Sequence, residues 1–321
     1  MSVPRTPFPR IDIAFGADAA YMPHIAACIA SIVRRSPNAN LRFIVLHGGV
    51  EEPLRARVES VAPRARFHWV EIADDDLPPF PRHAHFTRAI LYRLGLGKLA
   101  PADCTRVLYL DADTIVQGDI AELFNVDLHG ASIGAVTDGY YVDGSGFAPK
   151  WGLPAGKLGY FNSGVLLIDL ERIRAQGFLS RAIECVARHG SELRFADQDA
   201  LNIVAWDQWC PLPPRWNAQR DMVVKSISQT LPEALQFHDR RPALIHYTGP
   251  EKPWILAGYH PWSWLYWDAL ARTPFFEDVA RQSGIGRRRR LQLWLRWVRR
   301  WPHGIASSRS AESMVETTER A

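Results

Sequence analysis

The stretch VLYLDAD, residues 107–113, runs four apolar residues straight into two aspartates separated by one alanine. An unbroken apolar run of this length suits a strand covered on both faces. Asp111 and Asp113 then stand at its carboxyl end, the edge of an open α/β sheet where ligands bind. Carboxylates at i and i+2 of an extended chain project to the same side. So close to a low-dielectric core, their repulsion is costly unless a cation or water relieves it. Taken alone, the residues allow two readings: a solvated loop, or a hard-cation site with positions left for phosphate oxygens.

Further strands and helices alternate around this one. IDIAF at 11–15, LRFIVL at 41–46, FHWVEI at 67–72, RVLYL at 106–110, ASIGAV at 131–136, GVLLIDL at 164–170 and ALIHY at 243–247 read as buried strands. His24 to Arg35 reads as a helix between the first two. The pattern predicts a single α/β domain over 11–281, Rossmann-like, with a mostly parallel sheet flanked by helices. After the aspartate pair, TIVQGDIAELF reads as the start of a helix, with Asp119 as its cap and Glu122 three residues on. Asp111 and Asp113 lie too early for capping.

Composition narrows the function classes. The chain has 321 residues, 47% hydrophobic and 22% charged, enough to bury a substantial core. Cys28, Cys104, Cys185 and Cys210 show no C-x-x-C spacing, so neither a disulfide framework nor a zinc knuckle is indicated. No apolar run approaches the roughly 18 residues that a membrane span needs. The net charge is +4, but RRRRLQLWLRWVRRW at 287–301 holds seven arginines and no acid, leaving −3 elsewhere. A mildly acidic domain argues against nucleic acid as a partner.

On a helix over 284–302, Leu291, Trp294, Leu295 and Val298 share one face and the arginines spread across the other. That is the pattern of a basic amphipathic helix lying in an anionic membrane surface. Residues 303–321 are polar and Ser-rich, a composition typical of a disordered tail. The expectation is a cytoplasmic protein held peripherally at the inner face of the cytoplasmic membrane.

Five ordered stretches, IDIAFGADAAY, VLYLDADTIVQGDIAELF, YFNSGVLLIDL, FADQDALN and IHYTGPEKPW, resemble the family 8 retaining glycosyltransferases over roughly residues 11–270. The chain is most similar there to bacterial enzymes that add galactose or glucose from a UDP-sugar to the lipopolysaccharide or lipooligosaccharide core. The resemblance implies a GT-A type fold and Mn²⁺ held by Asp111, Asp113 and His246. A mixed carboxylate and imidazole set suits Mn²⁺ better than the alternative, Mg²⁺.

The same resemblance places Asp18 on the uracil, with backbone contacts from Gly16 and Ala17, while Ala20 replaces the polar residue that many relatives carry. It sets Ala112 with its two aspartates, and also His85, beside the nucleotide. Arg93 is implied beneath the sugar and diphosphate; an arginine in so apolar a segment also needs an acidic partner. Gly249 would let the backbone approach the diphosphate, and Lys252 would supply a point charge to it. Asp138, Asn162 and Asp197 are implied at sugar hydroxyls, with Gln198 near the anomeric carbon, while Asp199 is expected to cap its helix.

The expected partners are UDP-galactose or UDP-glucose and a glycolipid or oligosaccharide acceptor. A double displacement would want a carboxylate below the anomeric carbon, and the matching residue is the amide Gln198, which favours front-face transfer. The competing class is a non-catalytic or hydrolytic sugar-nucleotide-binding protein at the membrane. Asp74 to Asp76 reads as a solvated loop. The aromatics Trp254, Tyr259, Trp262, Trp264, Tyr266 and Trp267 read as packing.

Overall fold

A computed structural model describes residues 9–77, 88–139, 146–220, 222, 242–250, 252–255, 260, 262–286, 288, 291, 292, 294 and 295. Its main sheet has seven strands in the order β3-β2-β1-β4-β7-β6-β8. These are β1 (Arg10–Gly16), β2 (Asn40–His47), β3 (Arg66–Glu71), β4 (Arg106–Leu110), β6 (Ile133–Thr137), β7 (Phe161–Asp169) and β8 (Cys210–Pro211). Pairings are parallel except those of β7, which runs against both β4 and β6. A second sheet of three strands holds β5 (Thr114–Val116), β10 (Leu244–His246) and β9 (Ala218–Gln219), in that order.

The continuous apolar runs have a direct cause. Ile11, Ile13 and Phe15 of β1 join Phe43 and Val45 of β2 in a cluster with Ile25, Ile29 and Ile32 of the helix Met22–Arg35. Ala14, Ile44 and Leu46, which alternate with them, join a second cluster with Leu91, Leu170, Ile173, Phe178 and Leu201. Both faces are covered, so residues 11–15 and 41–46 are apolar apart from the buried pair Asp12 and Arg42. The expected mostly parallel α/β sheet flanked by helices is what the chain adopts.

One expectation needs correction. ALIHY does not continue the main sheet: β10 pairs with β5 and β9 instead. Thr114–Val116, ahead of the expected cap, is a strand that sequence reasoning missed, and it supplies the edge on which β10 pairs. The helix that follows is Ile120–Phe124, and Asp119 caps it through the Ala121 amide as expected. Asp74–Asp76 forms a 3₁₀ turn in which Asp76 accepts from the Ala73 amide and from Lys98, in keeping with a solvated loop. Of the C-terminal segment, the helical positions Leu291, Trp294 and Leu295 are described, and all three are exposed.

At the amino ends of the central strands, Asp12 lies in register with Arg42. Arg42 donates to both carboxylate oxygens of Asp12 at 2.8 Å and to Asp103 at 2.8 Å. Asp12 and Arg42 are buried, whereas Asp103 is 58% exposed. Removing one partner of a buried pair strands the other charge. Asp12→Ala should therefore cost about 3 kcal/mol, and Asp103→Ala clearly less, because solvent screens its ion pairs. Urea unfolding of both variants checks the contrast, and equal losses would contradict it.

Candidate active site

The DAD stretch is not extended. β4 ends at Leu110, the Asp111 amide donates to the Gly164 carbonyl of β7 at 2.8 Å, and the Thr114 hydroxyl donates to the Asp111 carbonyl. The chain turns there and enters β5, and the turn aims both carboxylates at one point. Pairing of β10 with β5 puts His246 opposite Thr114. Nε2 of His246 then lies 3.6 Å from Asp111 Oδ2 and 3.3 Å from Asp113 Oδ1. The three donor atoms fall within 4.8 Å of one another, close enough for a divalent ion to bridge them.

Gly164 makes room for this arrangement. A Cβ there would come 2.1 Å from His246 Cε1 and 2.6 Å from Asp111 Oδ2. A glycine inside a strand often marks such a close approach. The glycine in FNSGVLLID carried that signal, and sequence reasoning read it only as strand.

Charge compensation comes from three directions. Arg93, fully buried in the 3₁₀ segment Arg88–Gly95, donates to Asp111 Oδ1 at 2.8 Å and lies 2.9 Å from Asp197 Oδ2. It also donates to the Ser163 carbonyl at 2.5 Å and hydroxyl at 3.0 Å, and its guanidinium sits 4.5 Å over the Tyr109 ring. Lys252 donates to Asp113 and, at 2.7 Å, to the Tyr247 carbonyl. Burial opposes ionisation of Asp113, but Lys252 and His246 override it and hold that carboxyl far below the usual range. Asp197 goes the other way: burial pushes it up to about 6, against the pull of Arg93.

Beside the carboxylates lies a cluster of hydrogen-bonded polar side chains. Asp138 follows β6, and its Oδ2 accepts from Asn162 Nδ2 at 3.1 Å and from Gln198 Nε2 at 3.2 Å. Gln198 Oε1 accepts from the Ser163 amide at 2.9 Å, and the Ser163 hydroxyl donates to Asp197 at 3.3 Å. Asp138, Asn162, Asp197 and Gln198 are all buried, so this is a built set of hydrogen-bonding groups rather than a solvated surface. Asp199 accepts from the amides of Arg194 and Phe195 beside the start of its helix Ala196–Val204, in keeping with the capping reading.

The remaining expected residues are placed as follows. Asp18 accepts from the Ala20 amide and caps the 3₁₀ turn Ala19–Tyr21. Gly16 closes β1 against Tyr92, and the Ala17 amide donates to the Leu46 carbonyl. Ala112 is buried between its two aspartates, and Gly249 adopts φ +82°, a conformation that suits glycine. His85 and Tyr259 lie outside the described residues. Trp254 stacks on His24 with ring centroids 3.6 Å apart and meets Tyr266, so its role is packing.

Sequence reasoning missed Asn217, whose Oδ1 lies 3.0 Å from His246 Nδ1 and whose Nδ2 donates to Asn162 at 2.9 Å. Nothing in RWNAQ marks it as special. Because Gly164 and His246 meet so closely, Gly164→Ala should displace the imidazole and weaken divalent-cation binding by about tenfold or more. A Mn²⁺ titration followed by electron paramagnetic resonance checks this, and unchanged affinity would refute the steric argument.

The chain is similar to known proteins over most of its length. The sequence profile of Glycosyl transferase family 8 matches residues 12–256. General stress protein A of Bacillus subtilis is 29% identical over 80% of the chain and 92% of the relative. Lipopolysaccharide 1,2-glucosyltransferase of Escherichia coli is 26% identical over 85% of the chain and 81% of the relative. The crystal structure of the galactosyltransferase LgtC with donor and acceptor sugar analogs is 27% identical, with a TM-score of 0.74 over 85% of this chain and all of that one. The likeness agrees with the expected GT-A type architecture. Matched over most of its length by the family profile, the chain belongs to glycosyl transferase family 8 and is a glycosyltransferase enzyme.

Proposed function

We propose that the chain transfers a hexose, galactose or glucose, from a UDP-sugar to a saccharide acceptor of the lipopolysaccharide core, with retention at the anomeric carbon. The observation that carries this reading is the convergence of Asp111, Asp113 and His246 beside Lys252, with the buried group Asp138, Asn162, Asp197 and Gln198 next to them. One half suits a metal-bound diphosphate, and the other suits sugar hydroxyls. Relatives named for lipopolysaccharide glucosyl and galactosyl transfer support both the donor class and the acceptor.

In this reading Asp111, Asp113 and His246 hold Mn²⁺, or Mg²⁺ as the harder alternative, and Asp18, Gly16, Ala17 and Ala112 line the nucleotide. A bound divalent ion neutralises charge that develops on the departing UDP. Lys252, placed beside Asp113, contributes a second positive charge to the same oxygens, and Gly249 lets its loop approach them. Arg93 holds Asp111 and Asp197 apart in fixed geometry. Asp138, Asn162 and Asp197 position the hexose over Gln198. The transferase domain is residues 11–281, followed by a membrane-associating helix over 284–302 and a tail over 303–321.

The test is a panel of UDP-sugars with lipopolysaccharide core acceptor, with and without Mn²⁺. Transfer from UDP-galactose or UDP-glucose is expected. Asp113→Asn should lower turnover about a hundredfold or more, since several kcal/mol of charge stabilisation depend on that ligand. Transfer from no UDP-sugar would overturn the reading.

Membrane association at the cytoplasmic face is supported by the exposed apolar residues Leu291, Trp294 and Leu295 amid seven arginines. No helix of the described residues is long and apolar enough to cross a membrane. The full chain should sediment with phosphatidylglycerol vesicles at low salt and much less with phosphatidylcholine vesicles. A chain ending at Gly286 should lose that binding, and equal sedimentation of both chains would refute the helix's role.

A further inference from the structure

His246 can bind a metal through Nε2 only if that nitrogen is unprotonated, and the other ring nitrogen must then carry the hydrogen. Which tautomer is present follows from a chain of buried side chains whose donors and acceptors can be assigned one by one. The Gly164 amide donates to Asn162 Oδ1 at 3.0 Å, and a backbone amide can only donate. At its other end Asn162 faces the Asp138 carboxyl at 3.1 Å, where its Nδ2 belongs. Two independent contacts therefore orient the Asn162 amide.

The orientation propagates. Asn162 Oδ1 also meets Asn217 at 2.9 Å, so the Asn217 atom there must be Nδ2. Its Oδ1 is left facing His246 Nδ1 at 3.0 Å and can only accept. Nδ1 thereby carries a hydrogen, and Nε2 is the ring nitrogen that faces Asp111 and Asp113. Asn217 is fully buried, so no water competes for His246 through it.

Asn217 is itself held at both sides. It ends the 3₁₀ turn Pro214–Trp216 and immediately precedes β9, whose Gln219 accepts from the Gly139 amide at 2.8 Å and donates to the Thr137 carbonyl at 2.9 Å. These two backbone groups flank Asp138. One short segment thus fastens the imidazole with one side chain and the Asp138 loop with another.

We propose that Asn217 is a positioning residue that fixes the His246 tautomer for metal binding and joins the cation ligands to the sugar-reading residues as one rigid unit. The proposal rests on reading Asp111, Asp113 and His246 as a cation site. Asn217→Asp keeps an acceptor toward Nδ1, while Asn217→Ala removes it.

The experiment uses the full chain and two readouts. Nitrogen-15 magnetic resonance of the metal-free protein should show a protonated, pyrrole-type Nδ1 for His246, and loss of that proton from part of the population in Asn217→Ala. Free Mn²⁺, followed by electron paramagnetic resonance, should show affinity about tenfold or more weaker in Asn217→Ala and a smaller loss in Asn217→Asp, which keeps the acceptor toward Nδ1 but lacks the donor to Asn162. An unprotonated, pyridine-type Nδ1 in the wild type overturns the proposal, and this readout needs no variant to fold. Mn²⁺ affinity unchanged in Asn217→Ala also overturns it while leaving the cation site standing. A wild type that binds neither Mn²⁺ nor Mg²⁺ overturns the cation reading itself, and the proposal with it.

Discussion

The site depends on one electrostatic constraint: three carboxylates, Asp111, Asp113 and Asp197, converge at the edge of the core. Each would cost several kcal/mol there if left uncompensated. Arg93 answers for two of them with one guanidinium, at 2.8 Å from Asp111 and 2.9 Å from Asp197. Lys252 and His246 answer for Asp113. These partners come from a 3₁₀ segment, a loop and a late strand, so the acids tie together parts of the chain that are distant in sequence. A guanidinium suits the double task because its fork reaches two acceptors without changing its charge.

The reversed strand β7 gives the site its other half. In a wholly parallel sheet only carboxyl ends would meet at this edge. β7 runs against β4 and β6, so its first residues lie beside the ends of both, with Val165 opposite Leu110 and Phe161 opposite Thr137. Asn162, Ser163 and Gly164 therefore enter the site from a strand's beginning. Asn162 and Ser163 supply hydrogen bonds to the Asp138, Asp197 and Gln198 group, and Gly164 supplies the absence of a side chain where His246 and Asp111 close in.

Much of this was legible in the sequence, and what was not has physical reasons. Apolar runs over β1, β2 and β4 gave their positions, because strands buried on both faces have no polar alternation to blur. The direction of β7 leaves no mark in composition, since an antiparallel strand in a covered sheet is as apolar as its neighbours. β5 escaped notice because three residues after a turn are too few to show a period. Asp111, Asp113 and His246 were found through motif order, whereas the turn that aims the aspartates was not, because i and i+2 spacing is the same in a strand and in a tight bend. Asn217 carries no local signal at all: its role exists only through Asn162 and His246, 55 residues back and 29 residues on.

The way the polar groups are used also bears on the reaction. A carboxylate serving as a covalent nucleophile must advance to the anomeric carbon. Asp197 Oδ2 is engaged by Arg93 and by the Ser163 hydroxyl. Gln198 is an amide with both ends bonded, its oxygen by the Ser163 amide and its nitrogen to Asp138. Residues tethered in this way can orient a hexose and bear on charge at its ring, but advancing on the anomeric carbon would break bonds that hold Arg93 and the polar cluster in place. With the UDP-hexose donor proposed above, that arrangement would favour front-face departure of UDP, with the acceptor entering on the same side.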